Sequence, residues 1–467
     1  MPMKNIPALA AALCVAVLFT PVAHAQNLYV GSNSSGVTTD FTSGTNAYAS
    51  TLVGYEPGAD SNTLNVLNTN TVLTNSGNLT VGGSGSGNSL VISNGGTVAN
   101  RFGFVGNDAS SSNNSVLVTG AGSLWTNSTA LYVGNAGSGN SLIISNGGMV
   151  ANANYGTIGE KPNSSNNSVL VTGANSLWTN GSSLDVGYFG SDNSLTISNG
   201  GTVASDSGSI GGFPTSSNNA VVVTGAGSLW TNSGELSVGY VGSNNTLTVA
   251  NGGTVAATII APTIAFGAGT GVINFNQSNS TNVSAAISGA GTVNQLGSGT
   301  TTLSGSNSYT GATTVAAGTL LVGGQIGLSD VSVLSGAAIG GSGTLAGSLS
   351  MAAGAEFVFS LSGALMVNGA SVTFVDFGID DLVGLDGSVA ESAYTLINGT
   401  AAINFSNVAN LGVGNGSNIG GGKYAYFRAD SPNLVVEVIP EPSTYALLVL
   451  AVIGLGAQCW RRRRKVA

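Results

Sequence analysis

Short bursts of strict apolar alternation recur through residues 61–258. In each burst the first and third places are apolar: Val116/Val118, Leu142/Ile144, Val169/Val171, Leu195/Ile197, Val221/Val223 and Leu247/Val249. The place between them is mixed, holding Leu117, Ile143, Leu170, Thr196, Val222 and Thr248. A period of two with one invariably apolar face predicts a strand that buries that face. After each burst come a Gly- or Asn-rich corner, one further apolar place, a second corner, and a short apolar-x-apolar-Gly segment such as Leu131 to Gly134 or Thr157 to Gly159. Gly and Asn supply the positive φ that sharp corners need. The pattern therefore predicts coils of three short strands and three corners.

The bursts repeat. Asn-Gly-Gly begins at Asn94, Asn146, Asn199 and Asn251, and Leu-Trp-Thr-Asn recurs around Trp125, Trp178 and Trp230, with Leu73 in the Trp place of the first copy. These marks return every 52 or 53 residues, but the stretch 114–125 aligns with 140–151, so the coil is about 26 residues. One such coil has too few inward residues to offset its ordering entropy, and coils must stack. The expected fold is all-β: a right-handed parallel β-helix, or β-solenoid, of stacked coils. Each Trp follows Leu124, Leu177 or Leu229; taking those leucines as inward turns the indoles outward. Trp125, Trp178 and Trp230 are thus expected to form an exposed column at ~10 Å steps, a candidate glycan-binding face.

The ends of the chain read differently. Lys4, an apolar run from Ala8 to Phe19, and small residues at Ala23 and Ala25 make a secretory signal peptide, expected to be cut after Ala25. At the other end, Pro440, Glu441, Pro442 and Ser443 precede an apolar segment, 445–460, and the basic run Arg461, Arg462, Arg463, Arg464 and Lys465. Sixteen residues make ~24 Å of helix, slightly short of the ~20 residues usual for a span. The segment is expected to be a short transmembrane helix whose basic end stays in the cytoplasm. The chain is accordingly divided into a signal peptide (1–25), an N-terminal cap (26–60), four repeats (61–258), a second repeat region (259–323), a C-terminal β-rich region (324–437) and a sorting or anchor tail (438–467).

Composition narrows the chemistry. With the signal peptide removed, the only histidine, His24, and one of two cysteines, Cys14, are gone. Histidine-dependent triads and the usual nitrogen or sulfur zinc ligands are then excluded, and no internal disulfide is possible. The body keeps Arg101, Lys161, Lys423 and Arg428 against nineteen acids, a formal charge of −15. Four scattered cations cannot track a phosphate backbone, so nucleic acid is a poor partner. Glycoside hydrolysis, which needs only paired carboxylates, stays open. The local acid cluster Asp376, Asp380, Asp381 and Asp386 does not match an EF-hand loop. Gly-x-Gly runs such as Gly82 to Gly87 lack the Lys and the strand-to-helix context of a phosphate loop. No cofactor or metal is expected, and the chain is read as not an enzyme.

Two resemblances complete the reading. Residues 285–323, through Leu303, Gly305, Asn307, Tyr309, Thr310, Gly311, Gly318, Leu320 and Val322, resemble the autotransporter-associated β-strand repeat of secreted β-helical passenger domains. Only about 115 residues separate Gly324 from Val438, too few for the translocator barrel such proteins carry, which implies another export route. The tail resembles the PEP-CTERM sorting signal, also described as an ice-binding protein C-terminal domain. That resemblance implies an exosortase and export machinery as partners, transient anchoring in the inner membrane, processing near Pro440, Glu441 and Pro442, and delivery to the cell surface or an extracellular matrix. Two functions follow as expectations: a structural or adhesive matrix protein, or a module binding polysaccharide or ice through a stacked outward face.

Overall fold

The computed structural model describes residues 26–250, 258–260, 263–430 and 432–441. Ala23, Ala25, Pro442, Ser443, Arg461 to Lys465 and the apolar segment 445–460 lie outside the described residues. Among the described residues no helix is long and apolar enough to cross a membrane. The described residues divide into two compact units, the first comprising those up to Thr301 with 305–311, the second comprising 302–304 with those from Ala312 onward.

The first unit is a parallel β-solenoid. Strands Ser89–Ser93, Ser115–Thr119, Ser141–Ser145, Ser168–Thr172, Ser194–Ser198 and Ala220–Thr224 stack in register, with Val118 facing Ile92 on one side and Ile144 on the other. The predicted inward residues, the pairs from Val116/Val118 to Leu247/Val249, the last on the following strand Asn245–Ala250, are all at most 4% exposed. Each coil sends its other two strands into one 18-stranded sheet. At the corners Asn94, Asn146 and Asn199 hold φ of 53°, 52° and 51°, a left-handed conformation in which Asn is among the few side chains tolerated.

A column of buried asparagines runs up one corner of this unit. The backbone N–H of Asn88 donates to Oδ1 of Asn114 at 2.8 Å, that of Asn114 to Asn140 at 2.9 Å and that of Asn140 to Asn167 at 2.9 Å. Their Nδ2 groups donate to the same oxygens at 3.1, 3.0 and 3.0 Å. The ladder extends down to Asn62 and up through Asn193 and Asn219 to Asn245. It serves the backbone donors that a corner leaves outside the strand ladders, which would otherwise be buried without partners. The glycine ending each third strand is required here: a Cβ on Gly106, whose φ is +75°, would fall on the Asn140 carboxamide.

The indoles point inward, which corrects the expected exposed column. Trp125, Trp178 and Trp230 are 0% exposed, while Leu124, Leu177 and Leu229 lie half-buried on the outer face. The cause is one residue of corner length. Residues 120–123 separate Thr119 from Leu124, whereas 146–148 separate Ser145 from Met149, and one extra residue flips every side chain of the following strand to the opposite face. In register, Trp125 pairs with Val98 and Val150, not with Ala151. A buried ring cannot stack on a glycan, so these three residues form no binding face.

Their burial explains why the sequence repeats every second coil. The second strand alternates Val98, Trp125, Val150, Trp178, Val203, Trp230, and the third alternates Gly103, Leu131, Gly156, Leu184, Gly208, Leu236. A Cβ built on Gly103, Gly156 or Gly208 would lie 2.6, 2.7 or 2.8 Å from Cζ2 of Trp125, Trp178 or Trp230. Each indole therefore fills the space left by a missing side chain in the coil before it. Where Leu73 takes the Trp place, the corresponding glycine place holds Thr51. The Trp125 Nε1–H donates to Asn100 Oδ1 at 2.7 Å.

The second unit keeps the parallel stacking with shorter coils, in which Val331–Val333, Leu349–Met351 and Ser371–Phe374 pair in sequence. It ends in an antiparallel group of Ser392–Gly399, Asn433–Pro440 and Lys423–Asp430. Phe427 of this group stacks on Phe377 at 5.5 Å, and Phe377 on Phe374 at 4.7 Å.

Candidate functional site

Only outward positions are open to a ligand, and those of the third strands in the first unit include aromatic, hydroxyl and carboxylate side chains. In register, the outward column reads Phe104, Tyr132, Thr157, Asp185, Ser209, Ser237. It passes from aromatic to polar. Phe104 and Tyr132 stack with centroids 5.2 Å apart and planes 3° from parallel, and the Tyr132 and Tyr155 hydroxyls are 2.7 Å apart.

Beyond Thr157 the column opens into a cleft of about 320 Å³. Its floor is Asp185, Ser209 and Ser237, and its walls are Tyr188, Phe213 and Tyr240, from the turns that follow the strand-ending glycines Gly187, Gly211 and Gly239. Phe213 meets Phe189 at 4.0 Å and Tyr188 edge-on at 4.9 Å. Tyr240 is 54% exposed. Gly212 occupies the turn position that Tyr188 and Tyr240 fill two coils apart, so that position places no side chain between those rings.

The carboxylates here are held under strain. Burial pushes the Asp185 carboxyl up to about 6, against hydrogen bonds from Ser183, at 3.1 Å, and Ser209, with Glu160 adding like-charge repulsion. Burial also raises Glu160, which Lys161 and Thr157 partly relieve, and raises the Tyr188 hydroxyl, with Glu160 and Asp185 contributing. On the opposite flank Glu235 accepts from Ser237 Oγ at 2.7 Å.

A folded pKa raised above the unfolded value means that the folded chain binds the extra proton, so ionising Asp185 begins to oppose folding as the pH rises above its ordinary value of 3.8, and the full cost is reached once the pH exceeds about 6. Asp185→Asn should therefore stabilise the first unit by roughly 2 kcal/mol at pH 7–8, with the gain vanishing below about pH 4. Thermal unfolding of both proteins across that range checks it; a gain that does not depend on pH would refute it.

The other candidate residues stand elsewhere. Pro440 ends the last described strand, and Glu441 continues its pairing through a backbone bond to Gly422 O at 2.8 Å, while its Oε1 accepts from Asn418 at 3.3 Å. In the cluster Asp376 to Asp386, Asp381 accepts from the Gly378 N–H at 2.7 Å and Asp386 from the Ser388 N–H at 2.8 Å, the bonding of local turns. Sequence reading missed the cleft. Its signal was available in Tyr188 and Tyr240, each immediately after a strand-ending glycine, and in Asp185 at a strand position otherwise hydroxylic or aromatic nearby.

Comparison with known families supports both resemblances. No curated protein matches the chain. Residues 293–322 match the Passenger-associated-transport-repeat, and within them Leu303, Tyr309, Leu320 and Val322 are at most 1% exposed. Residues 438–464 match the PEP-CTERM protein-sorting motif, the signal an exosortase recognises. The chain is thus an exported β-solenoid that carries a passenger-type repeat and a PEP-CTERM sorting signal.

Proposed function

We propose that this protein is a non-catalytic structural or adhesive component of the cell surface or extracellular matrix, released to its place by an exosortase. The sorting motif at 438–464 carries the reading. The body suits it: parallel ladders satisfy the backbone coil by coil, and the mature chain has no histidine for the commonest acid–base chemistry. In this reading the apolar segment 445–460 holds the precursor in the inner membrane until the tail is processed near Pro440, Glu441 and Pro442.

Mass spectrometry of surface-extracted protein should then find a C-terminus lacking Cys459 and the run Arg461 to Lys465. Glu441→Ala should shift the protein into the inner-membrane fraction. An intact C-terminus on surface protein would make the tail a permanent anchor and end the sorting proposal.

A further inference from the structure

We propose that the cleft over Asp185 binds a non-acidic glycan, one whose sugars carry hydroxyl or amino groups but no carboxylate, sulfate or phosphate. The inference deepens the surface-protein reading, on which it rests only for where the glycan would be met.

Three features of the cleft select this ligand. Tyr188 and Tyr240 belong to coils two steps apart, about 10 Å along the stack, with Gly212 placing no side chain between them and Phe213 standing edge-on to Tyr188 in the same wall. Aromatic side chains at that spacing match the C–H faces of alternate sugar rings along an extended glycan. Beneath them the floor is hydroxyl and carboxylate, from Ser207, Ser209, Ser237 and Asp185. A sugar hydroxyl or amine donates well to such oxygens, and hydrogen bonds to ionised groups are the stronger kind.

Charge excludes the acidic glycans. Asp185 already lies where burial and Glu160 disfavour its ionised form, and Glu235 lines the same cleft. A uronate or sulfate would add repulsion. A peptide is disfavoured for another reason. The floor strands Ser183–Val186, Ser207–Ile210 and Glu235–Val238 are each hydrogen-bonded into the parallel sheet, so an extended main chain finds no free strand edge to pair with.

The full-length protein in detergent, applied to an array of neutral, amino, uronic and sulfated oligosaccharides with oligolysine as a peptide control, tests this directly. Binding should be confined to neutral and amino sugars. For the best array ligand, Asp185→Asn should weaken affinity about tenfold and Tyr240→Ala about fivefold, with thermal midpoints that show both variants folded. Tyr240 is exposed enough, and Asn close enough in shape to Asp, for the fold to survive either change. Retention of no glycan, preference for acidic glycans or oligolysine, or affinity unchanged in both folded variants would overturn the assignment. Since binding is measured on purified protein, these outcomes stand apart from any failure of the sorting proposal.

Discussion

Gly156→Leu is expected to cost the first unit at least about 4 kcal/mol, more than most core substitutions, because it places a side chain where the Trp178 indole already lies. Trp178→Ala removes the indole instead and should cost about 3–5 kcal/mol through the cavity it leaves. The informative protein is the double variant Gly156→Leu with Trp178→Val. It reproduces the Leu131 and Val150 types found at those strand positions in neighbouring coils, and it should recover a substantial part of the loss. Urea unfolding followed by circular dichroism measures all three. Strictly additive costs would mean that the two residues do not share one space.

Asn140→Asp is expected to be almost as damaging, by several kcal/mol at pH 7. As a carboxylate it still accepts from Asn114, but it cannot donate to Asn167 Oδ1, which Asn140 Nδ2 contacts at 3.0 Å. A buried charge facing that oxygen is disfavoured, so the new carboxyl's pKa rises above the unfolded value and the destabilisation grows as the pH passes upward through it. Thermal midpoints at pH 4 and pH 7 should therefore differ more for the variant than for the wild type. Matching differences would show the asparagine column to be incidental.

Much of this architecture is legible in the chain. First-strand alternation gave the inward faces of Val118, Ile144 and Ile197 correctly, since a period of two with one face always apolar has a single reading. The orientation of Trp125 was not recoverable by the same rule. Alternation predicts faces only within a strand, and the longer corner at 120–123 reset the phase before Leu124. A cue lay in Gly103, Gly156 and Gly208, which recur at the same two-coil interval as the tryptophans. The cleft was harder to see because Asp185, Phe213 and Tyr240 belong to three different coils and meet only once stacking register is known. The sorting tail needed no structure, its three elements being contiguous.

The pairing of each indole with a glycine one coil away also bears on how such a chain grows over generations. A duplication or deletion of a single 26-residue coil would set an indole against leucine, or leave two small coils adjacent with a void between them. A change of two coils preserves every contact. Array length in this lineage should therefore drift in steps of about 52 residues, and the tandem copies at Asn94, Asn146, Asn199 and Asn251 are the spacing that such a filter would leave behind.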